Sequence, residues 1–286
     1  MSVSYPHINK VILFVVFLLA LFMQSNSYSV EQSPPWAVYY ANELKPEAFD
    51  AYSLIVFDSE AHPLISPLLS AGKTVLGYIS LGEVASYRHW YAEVKSEGIL
   101  LQENKNWSGS YAVDLRDPRW TKRVIEEMIP AILQQGFSGV FLDTLDNAAE
   151  LERVDGKKYS GMTLAAVKLI RTIRRHFPEI KIMLNRGYDL LPQIGDVIDM
   201  TLGESVFATY NFETKRYSSV DQELYKTQVS ILDAAAKKFP NLLIYTLDYW
   251  DPSDSKGISA IYRTERGNGF IPYVSTIKLD QLLPEP

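Results

Sequence analysis

The chain has 286 residues, 47% of them apolar, which is enough for a sizeable core in one large domain or two small ones. Its formal net charge is −6, and an acidic surface argues against nucleic acid or an anionic membrane surface as the main partner. Cysteine is absent, which excludes a disulfide framework, thiolate chemistry and lipid attachment through a thiol.

The opening residues read as an address. Lys10 precedes an apolar run over residues 11–23, and a polar stretch with Ser25 and Ser27 follows. A basic start, a short apolar core and small residues after it describe a signal peptide. The expectation is a signal peptide over residues 1–27, one domain over 28–286, and a secreted or periplasmic protein. The run is short for a spanning helix, which needs about 20 apolar residues, so an uncleaved leader is the one route to a membrane.

Strand patterns then alternate with helical ones. Strands are expected over residues 36–40 and 53–58, a helix over 63–71 ending at Gly72, and a strand over 74–83. An aromatic-rich helix runs to about Gly98, and an irregular insertion covers 104–117. Asp117 is an N-cap with Pro118 at the first helical position. Val124, Met128 and Ile132 line that helix to Gly136, with a kink expected at Pro130. The fourth strand, 139–143, stops at Asp143, with Asp146 three residues on.

A loop with Lys157, Lys158 and Gly161 leads to an amphipathic helix over 163–177, with Leu164, Val167, Ile170 and Phe177 expected to face inward. Strands follow over 181–185 and 197–204. Ser219 and Gln222 form a capping-box pattern opening a helix through Leu224, Ile231, Leu232 and Ala235 to Phe239. The seventh strand is expected over 242–248. A helix to about Gly267 precedes the eighth, over 270–275. This alternation and size predict an α/β fold, a single-domain (β/α)8 TIM barrel. A doubly wound open sheet is the competitor, but it would place a Gly-rich loop after the first strand, where YYANEL stands.

On these assignments acids gather at the carboxyl ends of the strands. Asp58 and Glu60 end the second, Glu83 the third, Asp143 and Asp146 the fourth, Glu204 the sixth, and Asp248 and Asp251 the seventh, while Asn185 ends the fifth. In a barrel these ends share one mouth. An isolated Asp there merely ends a strand or caps a turn, but acids on five strands describe an acidic cleft. Tyr40, Tyr78, Trp107, Tyr188, Tyr210, Tyr249 and Trp250 fall at strand ends or in insertions, where flat rings suit sugar faces as well as packing.

Beyond the leader only His62, His89 and His176 remain, with no HxH or HExxH spacing, and GxSxG is absent. No metal and no cofactor are expected, an all-carboxylate Mg or Ca site being the metal alternative. Two carboxylates cleave a glycosidic bond without either: one protonates the leaving oxygen, the other attacks or activates water. A raised pKa is expected at Glu204, whose neighbours are apolar, rather than at Asp143.

In order, WAVYY, LIVFD, VLGYISLGE, WSGSYAVDLRDPRW, GFSGVFLDTLDN, LNRG and LGES resemble the endo-α-1,4-polygalactosaminidases, glycoside hydrolase family 114. The resemblance covers essentially the whole mature chain. It implies a (β/α)8 hydrolase, secreted or associated with exopolysaccharide and biofilm, that cleaves galactosamine-rich polymers. It also implies Asp143 as nucleophile, Glu204 as acid/base and Glu83 lining the same cleft. Asp58, Asp146, Asp248, Asn185, Tyr40, Tyr78, Tyr188, Tyr249 and Trp250 are the expected substrate contacts. The implied partner is a polysaccharide, a cationic galactosaminan that an acidic cleft would attract. The alternatives are a non-catalytic secreted polysaccharide-binding barrel and a glycosidase of other sugar specificity.

Overall fold

Short apolar runs become strands of a parallel sheet, because helices cover its outer face and side chains fill its inner one. The computed structural model describes residues 34–286, so the signal-peptide expectation for residues 1–27 lies outside the described residues.

The chain opens with β1 (Trp36–Tyr39), β2 (Leu54–Asp58), α1 (Ser66–Ser70) and β3 (Thr74–Ser80). The third strand stops three residues earlier than expected. Glu83 instead begins β4 (Glu83–Ala85), which with β5 (Leu100–Glu103) and β6 (Ser110–Val113) forms a small antiparallel sheet in the order β4-β6-β5; α2 (Tyr91–Ser96) lies within it. The insertion expected to be irregular therefore contains a strand, β6.

Next come α3 (Pro118–Arg123), a π-helical segment (Val124–Met128) and α4 (Ile129–Gln134). Asp117 caps α3 by accepting from the Arg119 amide. The disturbance expected at Pro130 is spread over the preceding turn: Ile129 N–H reaches Val124 O, five residues back, just before the residue that has no N–H to give.

The remainder is β7 (Gly139–Asp143), α5 (Asn147–Val154), α6 (Met162–His176), β8 (Lys181–Asn185), α7 (Leu191–Ile194), β9 (Met200–Glu204), β10 (Ala208–Asn211), β11 (Arg216–Ser219), α8 (Gln222–Lys238), β12 (Leu243–Tyr249), α9 (Ser255–Gly267) and β13 (Ile271–Ser275). Sequence reading missed α5 and the β10–β11 hairpin. Leu164, expected inside, is half exposed. Asp221, not Ser219, caps α8, accepting from the Glu223 and Leu224 amides.

The large sheet runs β1-β2-β3-β7-β8-β9-β12-β13, with parallel pairing between neighbours. At its seam Trp36 Nε1 donates to Ile271 O at 3.1 Å, tying β1 to β13. The result is a near-closed eight-stranded parallel barrel, the (β/α)8 arrangement. The Trp36 ring packs on Tyr245 (centroids 5.1 Å) and Tyr273 (5.7 Å), so the barrel is filled by aromatic rings near the strand starts. At Gly139 a side chain is impossible, since a Cβ would sit 1.9 Å from Lys181 O on the adjoining strand.

Candidate active site

Three consecutive barrel strands end in a polar residue: Asp143 on β7, Asn185 on β8 and Glu204 on β9. Each is followed by a residue in the left-handed region, Thr144 (φ 64°), Arg186 (φ 52°) and Ser205 (φ 54°). Such a conformation costs a non-glycine residue about 1–3 kcal/mol and is kept only where the surroundings enforce it.

Here the enforcement is visible. Thr144 Oγ1 accepts from Gly82 N–H (2.8 Å), and Gly82 lies so close that a Cβ there would come within 2.0 Å of Thr144 O. Arg186 N–H donates to Leu202 O (2.8 Å). Ser205 N–H donates to Leu247 O (2.8 Å), and Ser205 O accepts from Gln228 Nε2 (3.0 Å).

Asn185 Nδ2 donates to Asp143 Oδ1 at 2.9 Å and to Glu204 Oε2 at 2.6 Å, so those two oxygens lie no more than about 5.5 Å apart, the sum of the two bonds. Each carboxylate has its other oxygen on a tyrosine. Tyr78 donates to Asp143 Oδ2 at 2.9 Å, and Tyr249 to Glu204 Oε1 at 2.6 Å. The Tyr40 ring lies 5.1 Å from that of Tyr78 and completes the floor. All donors to the pair are neutral.

That arrangement makes two negative charges costly. Burial, and next the charge of Glu204, push Asp143 up to about 7, against the opposing hydrogen bond from Asn185. The sequence expected a raised pKa at Glu204 rather than at Asp143; Asp143 is raised, by burial and by the charge of Glu204. Tyr78 and Tyr249 are themselves raised well above the ordinary tyrosine value by burial and by these carboxylates, so both remain donors.

Glu83 is buried beside the pair and accepts from Asn104 Nδ2 (2.7 Å), Asn147 Nδ2 (2.6 Å) and Ser110 Oγ (2.6 Å). The insertion sheet thus supplies a held carboxylate to the mouth. Asp146 is half exposed, with Arg186 Nε 3.5 Å from its Oδ2. Tyr188 donates to Gln228 Oε1 at 3.1 Å, on the network that holds Ser205.

Other expected contacts fall elsewhere. Asp58 is bound by Arg88 (3.0 Å), which also holds Glu60 (2.6 Å), so one of the two negative charges at this corner is compensated. Asp248 is fully buried and its Oδ1 accepts the amides of Phe207 (2.8 Å) and Ala208 (2.7 Å). Adjacent strand residues point to opposite faces: Tyr249 reaches Glu204, while Asp248 faces the helices. As a substrate contact Asp248 is therefore corrected to an internal anchor. Trp250 donates to Asp254 Oδ2 at the start of α9 (3.0 Å), and Asp251 caps a turn through Ser253, so neither joins the pair.

Arg88, Arg186, Gln228 and Asn147 were not anticipated. Of these Asn147, inside the TLDN stretch, and Arg186, inside LNRG, had a local signal. Among the described residues no group of three or more His, Asp or Glu side chains is placed to hold a metal ion, and no helix is long and apolar enough to cross a membrane.

Residues 21–285 match glycoside-hydrolase family GH114. The glycoside hydrolase domain of PelA from Pseudomonas aeruginosa is 25% identical, superimposes with a TM-score of 0.78, and is matched over 87% of this chain and 97% of that one. Ega3 of Aspergillus fumigatus, solved in complex with galactosamine, is similar in fold, with a TM-score of 0.66 at 13% identity over 88% of this chain and 97% of that one. An uncharacterised protein of Methanocaldococcus jannaschii is 29% identical over 235 residues, 76% of this chain and 66% of its own length. A barrel with a buried carboxylate pair at the strand ends, matched to one family over nearly its full length, places this chain in glycoside-hydrolase family GH114.

Proposed function

We propose that this protein is a secreted endo-glycosidase that cleaves α-1,4-linked galactosamine-rich polysaccharide with retention of configuration. Asp143 is the nucleophile and Glu204 the acid/base. The observation that carries this reading is the shared Asn185 amide, which holds one oxygen of each carboxylate within about 5.5 Å of the other and so favours the close pair, about 5–5.5 Å, of retaining enzymes. A pair poised to invert needs about 6.5–9.5 Å, to admit a water between acid and sugar.

In the first step an Asp143 oxygen attacks the anomeric carbon while Glu204 gives its proton to the departing glycosidic oxygen. In the second, Glu204 takes a proton from water, which displaces Asp143 from the same carbon. The pair needs one proton, and it must sit on Glu204 at the moment of attack. In the free protein, burial and the charge of Glu204 favour the protonated form of Asp143. An ammonium group of a galactosamine unit near Asp143 favours the ionised nucleophile. Tyr78 and Tyr249 hold both carboxyls oriented throughout.

The test is incubation with partly deacetylated α-1,4-galactosaminan, alongside N-acetylgalactosamine and glucosamine polymers, with and without chelator. New reducing ends and oligosaccharides read by mass spectrometry are expected from the galactosamine-rich polymer alone. Asp143→Asn and Glu204→Gln should fold as the parent does and lose at least about 10²–10⁴ of the rate. Parental activity in either variant removes that residue from the mechanism. Binding without new reducing ends makes the protein a carbohydrate-binding barrel instead.

A further inference from the structure

The site just described leaves two fully buried acids unused, Asp248 on β12 and Glu265 on α9. Asp248 Oδ1 is committed to the Phe207 and Ala208 amides, but its Oδ2 has no hydrogen-bond partner, and neither has either oxygen of Glu265. The charge of Asp248 on β12 adds to burial in making an ionised Glu265 on α9 costly. Around them stand Tyr225 of α8 and Asn268 just after α9, whose Nδ2 donates to the Tyr225 hydroxyl (2.7 Å). The hydroxyl of Thr246, on the same face of β12, is buried without a partner, and Glu204 lies on the opposite face of the sheet. Among the described residues no Lys or Arg forms an ion pair with either acid.

Two bare carboxylates in a dry interior would be strongly unfavourable. One proton between them resolves this: a protonated Glu265 donates to Asp248 Oδ2 and leaves Oδ1 free for the two amides. We propose that Asp248 and Glu265 share a single proton and together act as positioning residues for Glu204. The amides that Asp248 holds belong to the turn that begins at left-handed Ser205, directly after Glu204. This rests on the reading of Glu204 as acid/base, but its physical half does not need it.

The pH dependence has a definite sign. Burial, then the charge of Asp248, push Glu265 from its ordinary 4.5 up to about 8, and burial likewise pushes Asp248 up to about 7. The folded protein therefore keeps protons that the unfolded chain releases. Stability carries no penalty from the pair below about pH 4 and is lost as pH rises through about 7 and about 8, the pair holding its single proton between those two values.

The experiment uses the full chain and two readouts. In Glu265→Gln the amide donates to Asp248 Oδ2 at every pH, so the fall in Tm that the parent shows between pH 6 and pH 9 should flatten. Asp248→Ala should lower kcat by about tenfold or more with KM nearly unchanged, because it frees the turn that aims Glu204. Asp248→Asn, whose carbonyl still accepts both amides, should restore kcat and also flatten the Tm profile. A Glu265→Gln profile parallel to the parent's overturns the shared proton. Parental kcat in a folded Asp248→Ala protein overturns the positioning role. If the protein fails to hydrolyse any glycan, the Tm comparison still decides the shared proton, so the two readings fail separately.

Discussion

Asn185 links, at the scale of single residues, two of the many acids: one side-chain nitrogen binds one oxygen each of Asp143 and Glu204. Asp146 sits farther out and acts on the pair by charge. Its negative charge adds to burial and to Glu204 in holding Asp143 up at about 7. The last proton of the pair should therefore leave near pH 7, and kcat/KM should fall as pH rises through it. Asp146→Asn removes one repelling charge, so that alkaline limb should move to lower pH, by up to about one unit. A pH–rate profile of the variant checks this, and a limb moving upward contradicts it. Asp143 and Glu204 were legible because each ends an apolar strand run abruptly. Asp248 looked identical in sequence and was misread, since a single step along a strand changes the face. Arg88 was invisible: its pairing with Asp58 and Glu60 spans about 30 residues and has no local pattern.

Elements inserted between barrel strands shape the mouth. The β4-β6-β5 sheet follows the third barrel strand, and the β10–β11 hairpin follows the sixth. They meet through exposed rings, Trp107 of the first against Phe212 of the second, with centroids 5.4 Å apart. Phe212 continues onto Tyr210 (5.3 Å) and Tyr210 onto Tyr217 (5.0 Å). Large exposed rings beside a polar cleft suit sugar faces, and stacking of this kind contributes to binding rather than to bond cleavage. Trp107→Ala and Phe212→Ala should each raise KM for polymer several-fold and leave kcat on a short activated glycoside unchanged. Steady-state kinetics on both substrates separates the effects, and an unchanged polymer KM in both variants removes the rings from substrate binding. The barrel strands and the long helices were readable because each is a run of one period. The insertion strands were not, since three or four residues carry too little alternation to outweigh their Gly, Ser and Asn content.

Over the whole molecule, polarity is graded along the barrel. Trp36, Tyr245 and Tyr273 fill it near the strand starts, and the carboxylates crowd the strand ends. The first end supplies stability and the second spends some of it on unfavourable charge and backbone. Trp36→Ala should accordingly cost about 3–5 kcal/mol and lower Tm by several degrees, while kcat at low temperature stays near parental. Thermal denaturation beside a low-temperature assay tests that division; loss of kcat in the folded variant would contradict it.

The central claim is that Asp143 and Glu204, bridged by Asn185, form a retaining pair. The most direct measurement is proton NMR of the first reducing ends released from an α-1,4-linked galactosamine oligosaccharide, recorded before mutarotation. The pair's spacing predicts the α anomer first, with the β anomer growing in only as the sugar equilibrates. A β anomer as the first product would contradict the account.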